Sequence, residues 1–542
     1  MSRPCAVLMA FSLSASAALA ADATTRVHFR LIDSATGQPT PAMACITDAA
    51  TDEVRLPPDG RICTQPSSVE TFVAGVNFNP DRNWIGPVRK VNGADRTNNQ
   101  RSFVYEVRRS IPYWKGPVTY QVSGDFDLDL PAGRWRIGVG HGMEYVPVAE
   151  EFETTGAGKL DKTLELTRWI DLPARGWWSG DVHVHHPTAE AAQREYLLQY
   201  ALAEDVHVVN VLAMGDEHQV FFPQAGFGQK ARVQRGGYAL VSGQEDPRST
   251  FGHIIGLNLQ NMVRDTKTYD FYDLTFKGIH AQKDAVVGFA HFAWNGCDLP
   301  RGFPWFVTTG EIDFVETLQF SQVNLMDYAD YLNLGFRLTA AAGSDVPWGS
   351  TIGEVRTYAY TGPKFDPDAW FKALKAGHTF VSSGPFIEFT VNGQLPGSEL
   401  AVQAGQKVVI KARALGQARI GLPATLTIVG TDGLIKTVKA DSPSPELGVE
   451  LDHPITASQW LMASVVCDNN ALAHTTPVYV LVAGRPPWNP KEGPRIIDQR
   501  LAAMAKIEAE VAKATDDRAQ GIRERLAKAR SFYADLRRRM TQ

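Results

Sequence analysis

Between Gly176 and about Gly377, strand-like runs alternate with helical ones, and this alternation limits the fold of the chain more than any other feature. Strands are expected at Val206 to Leu212, Tyr238 to Ser242, His253 to Leu257, Val286 to Ala290, Phe314 to Leu318 and Leu338 to Ala342. Helices are expected at Thr188 to Glu204, Lys277 to Lys283, Val323 to Leu334 and Pro367 to Ala376. Strands separated by helices predict an α/β fold with a largely parallel sheet, and their number suits a barrel-like closure.

The flanks read differently. From about Thr25 to Thr167 apolar residues recur with period two, as in Phe126-Asp127-Leu128-Asp129-Leu130 before the turn Pro131-Ala132-Gly133, with Trp135, Ile137 and Val139 beyond it. That pattern predicts antiparallel strands and a β-sandwich. Asn77 to Ser110, rich in Asn, Arg and Gly, reads as a long loop. After Gly377 strands return at Phe386 to Val391, Val408 to Ala412, Ala424 to Val429 and Trp460 to Val466, predicting a second β-sandwich. Beyond Pro486-Pro487, Leu501, Met504, Ile507 and Val511 fall at helical spacing, as do Ile522, Leu526 and Leu536 after an expected break at Gly521. The heptads are too few for a coiled coil, so a helical hairpin docked on the body is expected. The chain thus divides into residues 1–20, 21–175, 176–377, 378–485 and 486–542: a signal peptide, an N-terminal sandwich, a central α/β unit, a C-terminal sandwich and a helical tail. A length of 542 residues is consistent with several domains.

Residues 1–20 carry Arg3, an apolar run from Ala6 to Leu19 and a small-residue ending at Ala18-Leu19-Ala20, the pattern of a secretory signal. The expectation is a periplasmic or secreted protein without stable membrane insertion. In an oxidising compartment Cys45 and Cys63 are expected to pair, while Cys297 and Cys467 read as small buried hydrophobes. A net charge of -5 offers no basic surface and argues against nucleic acid as a partner. A small-molecule substrate is the expected partner.

Chemistry-bearing residues gather where the expected strands end. His183 and His185 lie on a short strand after Gly180; Asp216, Glu217 and His218 follow Val206 to Leu212; Glu245 follows Tyr238 to Ser242. His291 ends the strand from Val286, Asp345 follows Leu338 to Ala342, and His253 starts its strand, which suits convergence less well. In a parallel barrel all C-terminal strand ends share one face, so these side chains converge. An H-x-H pair on a strand turns both rings to one side, roughly 7 Å apart at Cα. Imidazole with carboxylate suits zinc, manganese or iron, and Glu245 could bridge two ions. His207 reads as a structural strand residue, and His141, His280, His378, His453 and His474 lack convergent context.

In order, Gly180-Asp181-Val182-His183-Val184-His185, Gly243-Gln244-Glu245, Gly252-His253, Ala290-His291 and Gly343-Ser344-Asp345 resemble the motifs of the polymerase-and-histidinol-phosphatase (PHP) superfamily. The likeness is greatest to its carbaryl-hydrolase-like (CehA/McbA) metallohydrolases, and Gly377-His378-Thr379-Phe380 through Val391-Asn392-Gly393 is similar to the stretch after their barrel. The resemblance implies a distorted (β/α)7 barrel with a metal centre that activates water to hydrolyse esters, amides, carbamates or phosphoesters. Position by position, it implies His183, His185, Glu245, His253, His291 and Asp345 as ligands. Three motifs depart from the pattern. Thr-Asp-His is here Gly215-Asp216-Glu217-His218, leaving Glu217 or His218 as the candidate ligand; Ser-Asp-x-His ends in Pro347; and His186-Pro187-Thr188 replaces the usual acidic residue after H-x-H. One or two divalent ions are therefore expected.

Asp345 or His218, beside Asp216, is the candidate proton shuttle. Trp294, Trp305, Phe306 and Trp348 are expected to wall the substrate side. Three functions stay open: hydrolysis at a carbonyl; a phosphoesterase using Arg248, Arg301 or Lys230; and an exported binding protein that has lost the chemistry.

Overall fold

A computed structural model describes residues 23–51, 53–58, 61–62, 89–91, 94–96, 120–293, 301–319, 322–348 and 351–540. The expected signal peptide, Cys63, Cys297 and Trp294 lie outside the described residues, as does most of the expected loop from Asn77. Within that loop, Arg89–Val91 and Ala94–Arg96 are described and pair antiparallel.

The chain is a mixed α/β protein with large sheets and, among the described residues, seven α-helices. The central strands are β1 (Trp177–Val184), β2 (Val208–Gly215), β3 (Tyr238–Ser249), β4 (Gly252–Leu257), β5 (Val286–Phe289), β6 (Phe314–Gln319) and β7 (Thr339–Ala342). β1, β2 and β3 run parallel, and so do β5, β6 and β7. β4 runs antiparallel to both β3 and β5. Only Thr250 and Phe251 separate β3 from β4, and parallel neighbours need a crossover of about a dozen residues or more, so a hairpin is forced. Just past β7 the chain rejoins β1: Val346 bridges Val184, Asp345 N–H donates to His183 O at 2.7 Å, and His185 N–H donates to Val346 O at 2.7 Å. Every residue of β1 and β2 is buried, as strands covered on both faces require.

The helices are α1 (Ala191–Ala203), α2 (Tyr272–His280), α3 (Phe303–Phe306), α4 (Leu325–Asn333), α5 (Pro367–Ala376), α6 (Gly493–Val511) and α7 (Asp517–Met540). α5 has the bounds its sequence signals predict: Asp366 accepts the N–H groups of Asp368 and Ala369, Pro367 occupies the first turn, and Gly377 closes the helix in the left-handed region. α2 begins five residues before the expected Lys277, because Tyr272 and Phe276 bury against Phe306.

The N-terminal strands form two sheets that share a core. Phe29 of one packs edge-on against Phe152 of the other, and Leu197 and Tyr200 of α1 join them. Two pairings depart from the antiparallel expectation, since Thr24–Asp33 runs parallel to Lys159–Leu166 and Val54 pairs parallel with Val91. On the other side, Arg356–Tyr360 pairs with β1, then with Thr379–Ser382, which in turn pairs with Leu472–Thr475. The hydrogen-bond ladder therefore runs without a break across the boundary expected at Gly377.

α6 and α7 dock on the body. Met504, Ile507, Ile522, Leu526 and Tyr533 share a core with Tyr272, Phe306 and Tyr331, and Tyr533 Oη donates to Pro304 O at 2.6 Å. The chain breaks at residues 512–516 and not at Gly521, which lies inside α7. A Cβ at that position would stand 2.4 Å from Phe271 Cζ. The glycine permits close approach of helix to body and does not interrupt the helix.

Candidate metal centre

Six of the expected ligands come together. His183, His185 and Glu245 form one group; His183, His291 and Asp345 a second; Glu245, His253 and His291 a third, with ligand atoms in each within 4.8 Å of one another. His253 belongs because β4 is reversed: the start of an antiparallel strand lies at the same rim as the ends of its parallel neighbours. His291 and Asp345 follow β5 and β7 with left-handed backbones, φ 59° and 55°. Non-glycine residues adopt that conformation at a cost, and such positions cluster at functional sites. Here it is held by His291 N–H donating to Glu316 Oε2 at 2.8 Å and by the link from Asp345 to His183 O.

The hydrogen bonds of the ring nitrogens bear on whether a cation fits. His185 Nδ1 lies 3.1 Å from Leu212 O, which only accepts, so that nitrogen carries the proton. His183 Nδ1 likewise donates to Glu316 Oε1 at 3.0 Å. With both rings neutral, as metal ligation requires, the two Nε2 atoms, 3.0 Å apart, present lone pairs to each other. Asp345 Oδ1 stands 3.3 and 3.4 Å from them, and Glu245 places Oε1 3.6 Å from His183 Nε2 and Oε2 3.4 Å from His185 Nε2. Buried acceptors facing one another without a donor are costly unless a positive charge sits among them. On the side of Glu245 toward His253 and His291 further ligand atoms meet: His253 Nδ1 is 2.8 Å and His291 Nε2 3.3 Å from Oε1, and the two nitrogens are 3.0 Å apart, a set that suits a cation when His253 carries its proton on Nε2. His291 Nδ1 is spent on Gln319 Oε1 at 2.8 Å. These buried histidine, glutamate and aspartate groups could hold a metal ion, with Glu245 shared between two positions.

The local field favours positive charge at this point, carried by a bound cation or by a second proton on His183. Burial pushes the Glu245 carboxyl up, but Arg248, His253 and His183 together hold it well below its ordinary value. Burial alone would lower the His183 imidazole, and Glu316, Asp345 and Glu245 outweigh it, holding it well above 6.5. For Asp345 the burial cost is outweighed by His183 and by the bond with His185, so it stays ionised.

Residues not singled out in the sequence fix this geometry. Glu316, fully buried on β6, grips both His183 and the His291 backbone. Its only sequence signal is a carboxylate in the apolar run Phe314-Val315-Glu316-Thr317-Leu318. Asp181 accepts the N–H groups of His183 and Ser344 at 3.0 Å and of Gly353 at 2.8 Å, stapling β1 to the segment that carries Asp345. A Cβ at Gly343 would lie 2.4 Å from His183 Cβ and 2.5 Å from Glu316 Oε1, so only glycine lets β7 pass.

Other expected residues lie elsewhere. Asp216 caps a turn by accepting the N–H groups of His218 and Gln219, while Glu217 and His218 are exposed; none of the three joins a metal-capable group among the described residues. The turn to Val220 pairs back on β2 and carries their side chains outward. Trp305 and Phe306 are buried in the core against Phe251 and Tyr272, not at the substrate side. Trp348 does approach the cluster, edge-on to His185 at 5.4 Å, with Phe222 stacked on the same ring at 5.3 Å. Arg301 pairs with Glu510, and Lys230 is exposed. Arg248 stays at the cluster, 2.8 Å from Glu245 Oε2.

No family model matches the chain, and no curated protein matches it. Among solved structures it is similar to PsfC from Pseudomonas syringae PB-5123, with 16% identity and a TM-score of 0.25 over 36% of this chain and 87% of that one. It is also similar to fibronectin(III)-like modules of Clostridium thermocellum CbhA, with 18% identity and a TM-score of 0.14 over 18% of this chain and 100% of that one. Likenesses this loose leave the reading of the site to its own geometry.

Proposed function

We propose that this chain is an exported metal-dependent hydrolase on a distorted (β/α)7 barrel of the PHP type, flanked by β-sandwiches and akin to the carbaryl-hydrolase-like members. It would cleave an ester, amide or carbamate bond in a small molecule. The observation that carries this reading is the meeting of His183, His185, Glu245, His253, His291 and Asp345 with their ligand atoms turned toward one another. One or two bound divalent ions, zinc, manganese or iron, would supply Lewis acidity toward water and the scissile carbonyl. The first would be held by His183, His185, Asp345 and Glu245, the second by Glu245, His253 and His291. Substrate would enter where Asp345, His253 and Arg248 are partly open, with side-chain exposures of 10%, 11% and 23%, against none for His183 and His185. Asp345, on that open side, is the group placed to pass a proton to the leaving atom. Trp348 and Phe222 would border the substrate with an apolar surface. The apolar run of residues 6–19 supports export to the periplasm or beyond.

A phosphoesterase is the second reading, favoured by Arg248, whose guanidinium lies beside the cluster and could meet a phosphoryl group. The deciding experiment combines elemental analysis with assays on naphthyl esters, aryl carbamates and nitrophenyl phosphates. Turnover that a chelator abolishes, that zinc or manganese restores and that His185→Ala lacks is expected; which substrate turns over separates the two readings. A purified protein that binds no metal and turns over none of the three overturns both, leaving a binding protein.

A further inference from the structure

The hairpin of β3 and β4 carries Glu245 and His253, and its ladder is irregular between them. Three steps along β3, from Glu245 to Arg248, face two along β4, from Ile255 to His253. An extra residue in one strand disrupts the ladder, and its backbone polar groups need partners from outside the hairpin. Two tyrosines supply them. Tyr269 Oη accepts the Arg248 N–H at 2.9 Å and donates to Asp246 Oδ1 at 2.6 Å, next to Glu245 in the chain. Tyr272, the first residue of α2, accepts the Ser249 N–H at 2.9 Å and donates to Gly252 O at 2.6 Å.

Gly252 O belongs to the peptide bond that leads into His253, and His253 O in turn accepts the N–H of Ala290 at 3.0 Å, one residue before His291. The ligand is therefore held on one side by Tyr272 and on the other by the end of β5. The tyrosines are themselves well anchored. Tyr272 is fully buried, with its ring stacked on Phe306 at 4.4 Å. The segment between them is bound to α7: Arg518 pairs with Asp270, Arg525 pairs with Asp273 at 2.6 Å, and Phe271 packs against Gly521. The helical tail thus backs the tyrosines, and the tyrosines back the hairpin.

We propose that Tyr269 and Tyr272 are positioning residues of the metal centre, whose hydroxyls hold the irregular hairpin so that Glu245 and His253 face one cation. This inference rests on the metal-centre reading above. Phenylalanine at either position keeps the packing but leaves a backbone N–H of the hairpin without that acceptor, a loss that buried groups tolerate poorly. The ion at Glu245, His253 and His291 feels the resulting shift, because partners that orient ligands govern metal affinity. His183 and His185 do not, since Glu316 and Leu212 O, on other strands, orient them.

The test is manganese or zinc binding to the full chain, by equilibrium dialysis with elemental analysis after chelation and re-addition, with His185→Ala and His253→Ala marking which ion is held where. Tyr272→Phe should weaken the His253-dependent ion by about tenfold or more and leave the His185-dependent ion unchanged, and Tyr269→Phe should act in the same direction. Tyr328→Phe is the control. It removes an equally buried bond, from Tyr328 Oη to Leu338 O at 2.7 Å, at the start of β7 away from the hairpin, and should change neither affinity. Folded Tyr272→Phe and Tyr269→Phe with wild-type affinities overturn the proposal, as does a Tyr328→Phe that weakens the same ion equally, or binding indifferent to His253→Ala. A wild type that binds no ion overturns the metal-centre reading itself. Hydrogen exchange of residues 248–253 in the metal-free protein judges the tyrosines separately: it should quicken in Tyr272→Phe and not in Tyr328→Phe, and unchanged exchange overturns this inference alone.

Discussion

Glu316 Oε1 accepts the Nδ1 proton of His183 across 3.0 Å, with both residues fully buried. The other oxygen of that carboxylate takes the backbone N–H of His291, so one side chain sets a ring orientation on β1 and a turn after β5.

Glu316→Gln should therefore weaken metal binding, through the His183 ring and through the turn that carries His291. The amide oxygen can still accept from His183, but the NH2 cannot accept the His291 N–H, and the negative charge that makes the imidazole a better ligand is lost; changes of this kind cost roughly tenfold to a hundredfold in metal affinity. Dialysis against a metal buffer measures it. Affinity equal to the wild type would show that Glu316 is a packing residue and nothing more.

Acid should destabilise the protein in a window that begins just below neutrality. His474 is completely buried; its Nδ1 donates to Thr475 O, and its Nε2 accepts from Thr317 Oγ1 at 2.9 Å. Burial pushes this ring down to about 4 from an ordinary 6.5, against a smaller upward pull from the Thr475 backbone bond. Between those values the unfolded chain binds more protons than the folded one, so stability rises with pH and is lost as pH falls from 6.5 toward 4. The slope is at most roughly 1.4 kcal/mol per pH unit for one ring. His207 is pushed down to about 4 by burial, despite the pull of Asp205, and acts in the same direction. Denaturant unfolding at several pH values should give a shallower acid limb for His474→Gln than for the wild type. Parallel curves would mean that His474 titrates alike in both states.

Gly521→Ala should destabilise, although alanine is the better helix former by about 1 kcal/mol. Its Cβ would enter Phe271, whose Cζ stands 2.4 Å from the built position, and overpacking a filled interface costs about 1–3 kcal/mol. Arg525, bound to Asp273 at 2.6 Å and lying over the Phe271 ring at 4.0 Å, limits how far that ring can yield. A thermal melt decides it: a raised melting temperature would place Gly521 on a face with room to spare.

Neighbouring residues alone specify the local elements and the kinds of side chain at their ends. Alternating apolar runs marked β5, β6 and α5 to within a residue or so, because periodicity and capping act over a few positions. His183, His185, Glu245, His291 and Asp345 could be read from strand ends for the same reason. Which ends meet depends on pairings between distant strands. The direction of β4 depends on its partners β3 and β5, and that direction brings His253 into the cluster. Glu316 becomes legible only when β6 stands beside β5 and β7 and near His183. Asp216, Glu217 and His218 had suitable chemistry at a strand end, yet the turn that returns to β2 carries them outward. Trp305 and Phe306 look like pocket aromatics until α2 and α7 cover them. Local propensity is written in neighbouring residues, whereas convergence is a property of pairings between strands far apart in the chain, set only when the sheet closes and the buried polar groups find their partners.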